Sequence, residues 1–390
     1  MASTGAQARR TLVGAGAAHA LHDGFADLIY VLLPVWQAEF ALSFGALALL
    51  RGLYVGAMAA LQLPASRLAE RLGGRGVLAL GTVVTSVGYA LAGCSGGLLG
   101  LGACLALAGA GSSTQHPIAS AAVSRAYGAA ARGPLGSYNF AGDLGKAAIP
   151  ALASPLLSLM AWRPALQLLA LLGVATAAAV ALLMPRSART QPAESHSEVA
   201  AGSDKGGFRL LFAIGMLDTG VRIGFLTFLP FLLREKGASI PTVGLALALV
   251  FLGGAAGKFA CGWLGDRVGV LTTVVVTEGG TAAAILAVPA LPLDMALPLL
   301  PPLGLLLNGT SSVLYGTVPE LTPSRRAEQA FALFYIGTIG SGAVTPVFYG
   351  MLGDAVGPHW ATAATAVTAL LTIPLAILLA PRLRAARSRP

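Results

Sequence analysis

Two stretches of the chain read alike: Leu68-Ala69-Glu70-Arg71-Leu72-Gly73 and Leu264-Gly265-Asp266-Arg267-Val268-Gly269. Each sets an acid directly before an arginine and closes on a glycine, and the acids lie 266 − 70 = 196 positions apart. Leu33-Pro34 ahead of Glu39 answers Leu229-Pro230 ahead of Glu235 at the same offset, 230 − 34 = 196. Pro150 and Pro346 repeat it again, 346 − 150 = 196, while Ser112-Ser113 with Ser311-Ser312 and Trp162 with Trp360 match more loosely. Chance supplies any one of these. Three landmarks at one offset, spread over the whole chain, predict an internal duplication.

What is duplicated follows from composition. Of 390 residues, 56% are hydrophobic and 11% charged, against about 25% charged in a soluble domain. Apolar segments of about 20 residues, the length that crosses a bilayer, fall near 12–37, 46–66, 76–94, 97–122, 135–160 and 164–184. Six more fall near 208–234, 241–262, 270–290, 294–317, 327–352 and 358–380. The first is read as a membrane helix rather than a cleavable signal, being too long and too polar for one. The expectation is an all-α polytopic membrane protein, with twelve transmembrane helices as two six-helix pseudo-repeats. Residues 1–185 form the N-terminal bundle and 208–390 the C-terminal bundle, joined by a polar linker over 186–207.

The net charge of +9 is a topology signal. Arg9, Arg10, Arg67, Arg71, Arg75, Arg125, Arg132, Arg267, Arg325, Arg326 and the C-terminal arginines fall in alternate loops or at the ends. The positive-inside rule puts those loops and both termini in the cytoplasm of an inner-membrane protein, and removes the case for nucleic acid. Fifty glycines suit helices that must approach closely where lipid supplies no hydrophobic drive. Cys94, Cys104 and Cys261 sit in apolar stretches without disulfide or metal spacing.

Ionisable residues inside the spans are the functional candidates, since each costs roughly 2.5–3.5 kcal/mol at mid-bilayer on insertion scales. In the first span His19, Asp23 and Asp27 follow at i, i+4 and i+8 and share one helix face, with His22 turned elsewhere. Two carboxylates one turn apart suit proton exchange. In the fourth span His116 precedes Pro117 in a Gly- and Ser-rich run, which loosens the backbone there. Asp143 and Lys146, at i, i+3, can pair on the fifth span. Asp218 and Arg222, at i, i+4, occupy the seventh, the counterpart of the first. Lys258, placed to snorkel, and Glu278, with no role assigned, complete the set. Arg51 is expected to open the second span on the outer side.

The two loop copies resemble the signature of the major facilitator superfamily, Gly-x-Leu-x-Asp-Arg-x-Gly-Arg. Gly262, Leu264, Asp266 and Arg267 match it. In the first copy Ser66 stands for the first Gly and Glu70 for the Asp, with Arg71 retained. An acid at a helix end beside a basic turn can bridge neighbouring helices and release them as the halves rock. Within the superfamily the chain is most similar to the fosmidomycin-resistance efflux proteins. The likeness rests on His19-x-x-x-Asp23, on Pro34 with Glu39-Phe40, on Gly111-Ser112-Ser113-Thr114-Gln115-His116-Pro117, and on Gly142-Asp143-Leu144-Gly145 running to Pro150. The last resembles the antiporter fifth-helix motif, although Ile149 replaces its Gly. The Arg–Gln–Gly feature of drug-antiporter fourth helices is absent.

The resemblance implies proton-driven export of a small molecule by a monomer embedded in the bilayer. Parallel six-helix repeats are a transporter architecture in their own right. No phosphate-cradling loop with its Lys-Ser/Thr is present, so ATP-driven pumping is not expected. Neither is a cofactor, a metal or an enzymatic role: five histidines form no metal constellation.

Overall fold

The computed structural model describes residues 5–186, 204–322 and 327–387. Among these residues there are thirteen α-helices and one short 3-10 turn. The first half gives α1 (Gly5–Phe40), α2 (Phe44–Leu72), α3 (Gly74–Ala92), α4 (Leu98–Ser112), α5 (Gln115–Tyr127), α6 (Arg132–Leu159) and α7 (Trp162–Leu183). The second gives α8 (Lys205–Glu235), α9 (Ile240–Val268), α10 (Val270–Ala290), α11 (Leu293–Leu321), α12 (Ala327–Val356) and α13 (Pro358–Arg387). Most of the linker expected over 186–207 lies outside the described residues.

The duplication is written into the helix boundaries. Starts of α2 and α9 differ by 240 − 44 = 196, their ends by 268 − 72 = 196, starts of α3 and α10 by 270 − 74 = 196, and starts of α7 and α13 by 358 − 162 = 196. Gly73 and Gly269, equivalent at this offset, both adopt positive φ, 91° and 85°. That left-handed turn is open to glycine at little cost, and it lets α3 and α10 start immediately after α2 and α9. Glu39 accepts hydrogen bonds from Trp162 and Arg163 at the start of α7. Glu235 pairs with His359 at the start of α13, 3.5 Å away. Arg163 and His359 are again 359 − 163 = 196 apart, a closer equivalence than the Trp162–Trp360 match.

Thirteen helices answer twelve expected spans because the fourth is split. α4 ends at Ser112 and α5 begins at Gln115, where Pro117 can bring no N–H to the first turn. The hydroxyls of Ser113 and Thr114 donate to Ala110 O and Gly111 O at 2.7 and 2.9 Å, occupying carbonyls at the break. Among the described residues, nine helices are long and apolar enough to cross a membrane. The others are the two short pieces α4 and α5 and the polar α1 and α6; of these α1, α5 and α6 build the charge cluster described below.

The chain divides into two compact units. The first comprises Met1–Leu42, Leu49–Glu194 and Ile240–Ala248; the second comprises Ser43–Ala48, Ser195–Ser239 and Leu249–Pro390. In the first, α1 packs along α6, and α3 packs on α4 and α7. In the second, α8 packs on α12 and α13, and α10 on α11 and α13. Leu78, Ile118, Val123 and Val180 anchor the core of the first unit; Ile214, Val274, Leu314 and Leu379 anchor that of the second. Outward-facing Leu152, Leu159, Leu182, Phe259 and Phe348 are exposed, an apolar exterior of the kind lipid covers.

Candidate functional site

In the first unit the site begins with the fit of α1 against α6. A Cβ added to Gly145 would lie 2.0 Å from Ala20 O, and one on Gly142 would lie 2.5 Å from the His19 ring. These glycines let the backbones meet, which explains the spacing of the Gly142-Asp143-Leu144-Gly145 run. They also bring the next residue, Lys146, to Asp23.

Asp23 is the centre. Its Oδ2 lies 3.2 Å from Lys146 Nζ and 3.3 Å from His19 Nε2, and its Oδ1 lies 3.7 Å from His116 Nε2. One buried carboxylate thus meets a cation and two imidazoles from α1, α5 and α6. His19 is held by a 2.9 Å contact of Nδ1 with Tyr138 O, which as an acceptor requires the proton on that nitrogen. Its ring stacks on Tyr138, centroids 4.2 Å apart, and meets His116 edge-on at 5.2 Å. Gln115 Nε2 donates to Tyr138 OH at 2.6 Å. Asp23 and His19 are buried, but the side chains of Lys146 and His116 remain 28% and 27% exposed. The cluster is therefore reachable through its cation and one imidazole.

Three sequence expectations change here. Lys146 does not pair chiefly with Asp143: the Asp143 carboxylate is 4.0 Å away, farther than Asp23. Asp27 does not share a cluster with Asp23, because its Oδ1 takes the Arg51 guanidinium at 3.3 Å. Arg51 does not open the second helix at the outer side. It lies buried two turns inside α2, over the Tyr30 ring at 4.4 Å, and sequence reasoning missed it. The signal was available, for an arginine in an apolar run needs a carboxylate and Asp27 was in want of one. His22, as expected, points away from Asp23's partners. Its Nδ1 meets Ser112 Oγ at 2.8 Å and its Nε2 meets Thr82 Oγ1 at 3.0 Å, while Tyr54 OH closes on Ser112 at 2.6 Å.

The second unit holds its own polar centre. Asp218 on α8 and Glu278 on α10 are 3% and 2% exposed, and their carboxyl groups are hydrogen-bonded to each other. Arg222 lies one turn along α8 from Asp218, and its Nη1 donates to Asn308 Oδ1 at 3.4 Å. Thr310 Oγ1 donates to Thr277 Oγ1 at 2.8 Å and contacts Glu278. Glu278, left without a role by helix spacing alone, is thus the partner of Asp218. Asp218 is also not the equivalent of the Asp23 face: at 218 − 22 = 196 it answers His22.

Glu70, Arg71, Asp266 and Arg267 lie exposed at the ends of α2 and α9, with Arg267 over the Trp263 ring at 4.2 Å. Gly262 makes no tight approach, since a Cβ there would meet nothing within 4 Å. The close contacts of α9 fall a turn or more earlier, at Gly257 against Leu305 O and Gly253 against Pro301 O.

Among the described residues, His19, Asp23 and His116 have ligand atoms within 4.8 Å of one another. A metal there would have to displace Lys146, whose ammonium already sits against Asp23 Oδ2. The ammonium already fills the place beside Asp23 that a resident cation would take.

The family model described as Major Facilitator Superfamily matches residues 15–217 and 210–390. None of the curated proteins matches. Two solved structures of a bacterial homolog to the human lysosomal transporter Spinster, both inward-facing, superpose over 100% of each chain. The occupied form gives a TM-score of 0.83 at 16% identity, and the unoccupied form 0.82 at 17%. At that identity the likeness is one of fold. With family matches that between them run from residue 15 to the C-terminus, two equivalent six-helix repeats and buried charge clusters in each, the chain belongs to the major facilitator superfamily.

Proposed function

We propose that this chain is a proton-coupled exporter of a small drug-like or anionic compound, related to the fosmidomycin-resistance efflux proteins. Membership of the superfamily makes it an integral membrane protein and a secondary transporter of a small molecule by alternating access, not an enzyme. The step to proton coupling rests on one observation. Asp23 meets Lys146, His19 and His116 together, so a single carboxylate has one fixed cation and two titratable neighbours. A proton arriving through His116 neutralises Asp23 and displaces a drug-like cargo whose hydrogen-bond donors that carboxylate holds, so proton and cargo occupy the site in turn, as exchange requires. Loss of the proton restores the Asp23 carboxylate beside Lys146 for the next cargo.

In this reading His19 orients Asp23, Lys146 and His116 face the cargo, and the Asp27–Arg51 pair holds α2 to α1. The helix ends at Glu70–Arg71 and Gly262–Arg267 act as the gating elements, and Asp143 tunes Lys146. The protein works as a monomer in the inner membrane with both termini in the cytoplasm. Its bundles are 1–185 and 208–390, joined by the 186–207 linker.

The test is proteoliposomes carrying an internal pH dye, challenged with a panel of small organic anions and cations under an imposed pH gradient. Addition of a cargo should move protons against its own flux, and Asp23→Asn should abolish that movement while leaving cargo binding measurable. Cargo flux that ignores the gradient in wild type and persists in Asp23→Asn would overturn proton coupling and leave a uniporter. Co-directional proton movement would make the chain an importer.

A further inference from the structure

The 196-residue register pairs not only helices but the residues of one buried joint. His22, Thr82 and Thr85 of the first unit correspond to Asp218, Glu278 and Thr281 of the second (218 − 22, 278 − 82 and 281 − 85 each equal 196). In the first unit the joint ties α1, α3 and α4 with an imidazole and hydroxyls: His22 meets Thr82 and Ser112, and Thr85 Oγ1 donates to Gly81 O and Ala108 O. Hydroxyls both donate and accept, so that joint closes without any extra proton.

The second unit places carboxyl groups at the same two positions on α8 and α10. Two ionised carboxylates have no donor between them, so the hydrogen bond joining Asp218 to Glu278 requires one proton. Two further atoms mark the joint as incomplete: Glu278 Oε2 and Thr281 Oγ1, one turn apart on α10, are fully buried with no hydrogen-bond partner. The equivalent Thr85 hydroxyl is satisfied.

We propose that Asp218 and Glu278 form a proton-sharing pair, a second proton-binding site that loads and unloads in the C-terminal unit. The charged and titratable groups around it are few. Arg222 from α8 is the cation beside Asp218, and Tyr315 from α11 is the neighbouring phenol. Thr310 from α11 and Thr277 from α10 bring hydroxyls. Ser341 of α12 caps Met216 O on α8, and Thr365 of α13 lies against Gly224. Arg222, one turn along α8 from Asp218, is the cation that faces the single negative charge left on the pair.

The inference extends the proton-coupled reading above, and its experiment is read from the carboxyl itself, so a failure of proton-coupled flux and a failure of the pair are separate results. Infrared difference spectra of the purified protein in lipid should show the carbonyl stretch of a protonated carboxylic acid that shifts in D2O and fades as pH is raised. Asp218→Asn and Glu278→Gln should each remove it, because either change removes the partner that makes sharing necessary. Asp23→Asn and Asp143→Asn should leave it in place. If a single variant fails to fold, the Asp218→Asn/Glu278→Gln double variant, which keeps both volumes and an amide-to-amide hydrogen bond, carries the same test. It should also take up about one proton fewer per protein in an acid pulse, one being what a single shared hydrogen bond holds. A band that survives in the double variant, or that does not respond to pH, overturns the proposal.

Discussion

Gly145→Ala is the sharpest probe of how the first unit holds its site. In an ordinary helix interior this change gains up to about 1 kcal/mol from propensity, and Gly136 on the same helix, whose added Cβ would meet nothing within 4 Å, should show that gain. At Gly145 the new Cβ would fall 2.0 Å from Ala20 O and 2.5 Å from Ala20 Cα, whereas ordinary contact begins at 3.4 Å. The obstacle is backbone, so α1 and α6 must part by at least 3.4 − 2.0 = 1.4 Å. Overpacking of this kind costs about 1–3 kcal/mol. The same movement carries Lys146 from 3.2 Å to ~4.6 Å from Asp23, and at an effective dielectric of ~20 it weakens their attraction by about 1.5 kcal/mol. The loss therefore exceeds the propensity gain. Thermal unfolding in detergent should show Gly145→Ala below wild type and Gly136→Ala at or above it. Ala20→Gly should not rescue Gly145→Ala, because the clashing atoms are main chain. His19→Ala should rescue Gly142→Ala, because there the clashing atoms are the imidazole. A Gly145→Ala protein as stable as Gly136→Ala would refute the close approach.

Other outcomes follow from the same contacts. Arg51→Met leaves Asp27 buried without its cation and should cost about 3–5 kcal/mol, whereas the Asp27→Asn/Arg51→Met pair should recover most of it; a thermal double-mutant cycle reads the difference. Ser112→Ala removes the hydroxyl shared by His22 and Tyr54 and should cost about 1–3 kcal/mol, visible as faster hydrogen exchange in α4. At the start of α8, Asp204 accepts from the Gly206 and Gly207 N–H groups at 3.1 and 3.0 Å and from Arg382 at 3.0 Å. Those bonds, the Gly207 N–H first, hold its carboxyl below the ordinary value. The capping contribution is therefore complete above the unfolded-state pKa of about 3.9 and disappears as pH falls through the lower folded value. Exchange in the first turn of α8 should rise in acid. Asp204→Ala should raise it at neutral pH for a cost of about 1 kcal/mol, and Asp204→Asn much less.

What the sequence disclosed and what it withheld divide along a physical line. Membrane spans are set by local hydrophobicity, and the duplication by a fixed offset, so both were readable, as was the helix break ahead of Pro117. His19 and Asp23 were found because i, i+4 spacing on one helix fixes a shared face. Partners on other helices were not: Lys146 was assigned to Asp143 because three residues along a helix is a visible distance, while the approach of α6 to Asp23 is set by two glycines meeting α1. Arg51 and Glu278 were missed for the same reason. The offset contained the remedy for Glu278, since position 82 is a threonine facing His22 and position 278 must then face Asp218.

The shared register carries a consequence for how such a chain can change. Because α2 and α9 begin and end in step, and α3 with α10 and α7 with α13 begin in step, the two halves are a template inked twice, and a residue moved by 196 positions within these helices lands in a place already shaped to receive it. Exchanging the occupants of positions 22 and 82 with those of 218 and 278 would shift acidity from one half to the other without disturbing any loop length or helix boundary. The number of buried acids, and the half that holds them, would then be edited at a few codons, leaving the scaffold that surrounds them as it stands.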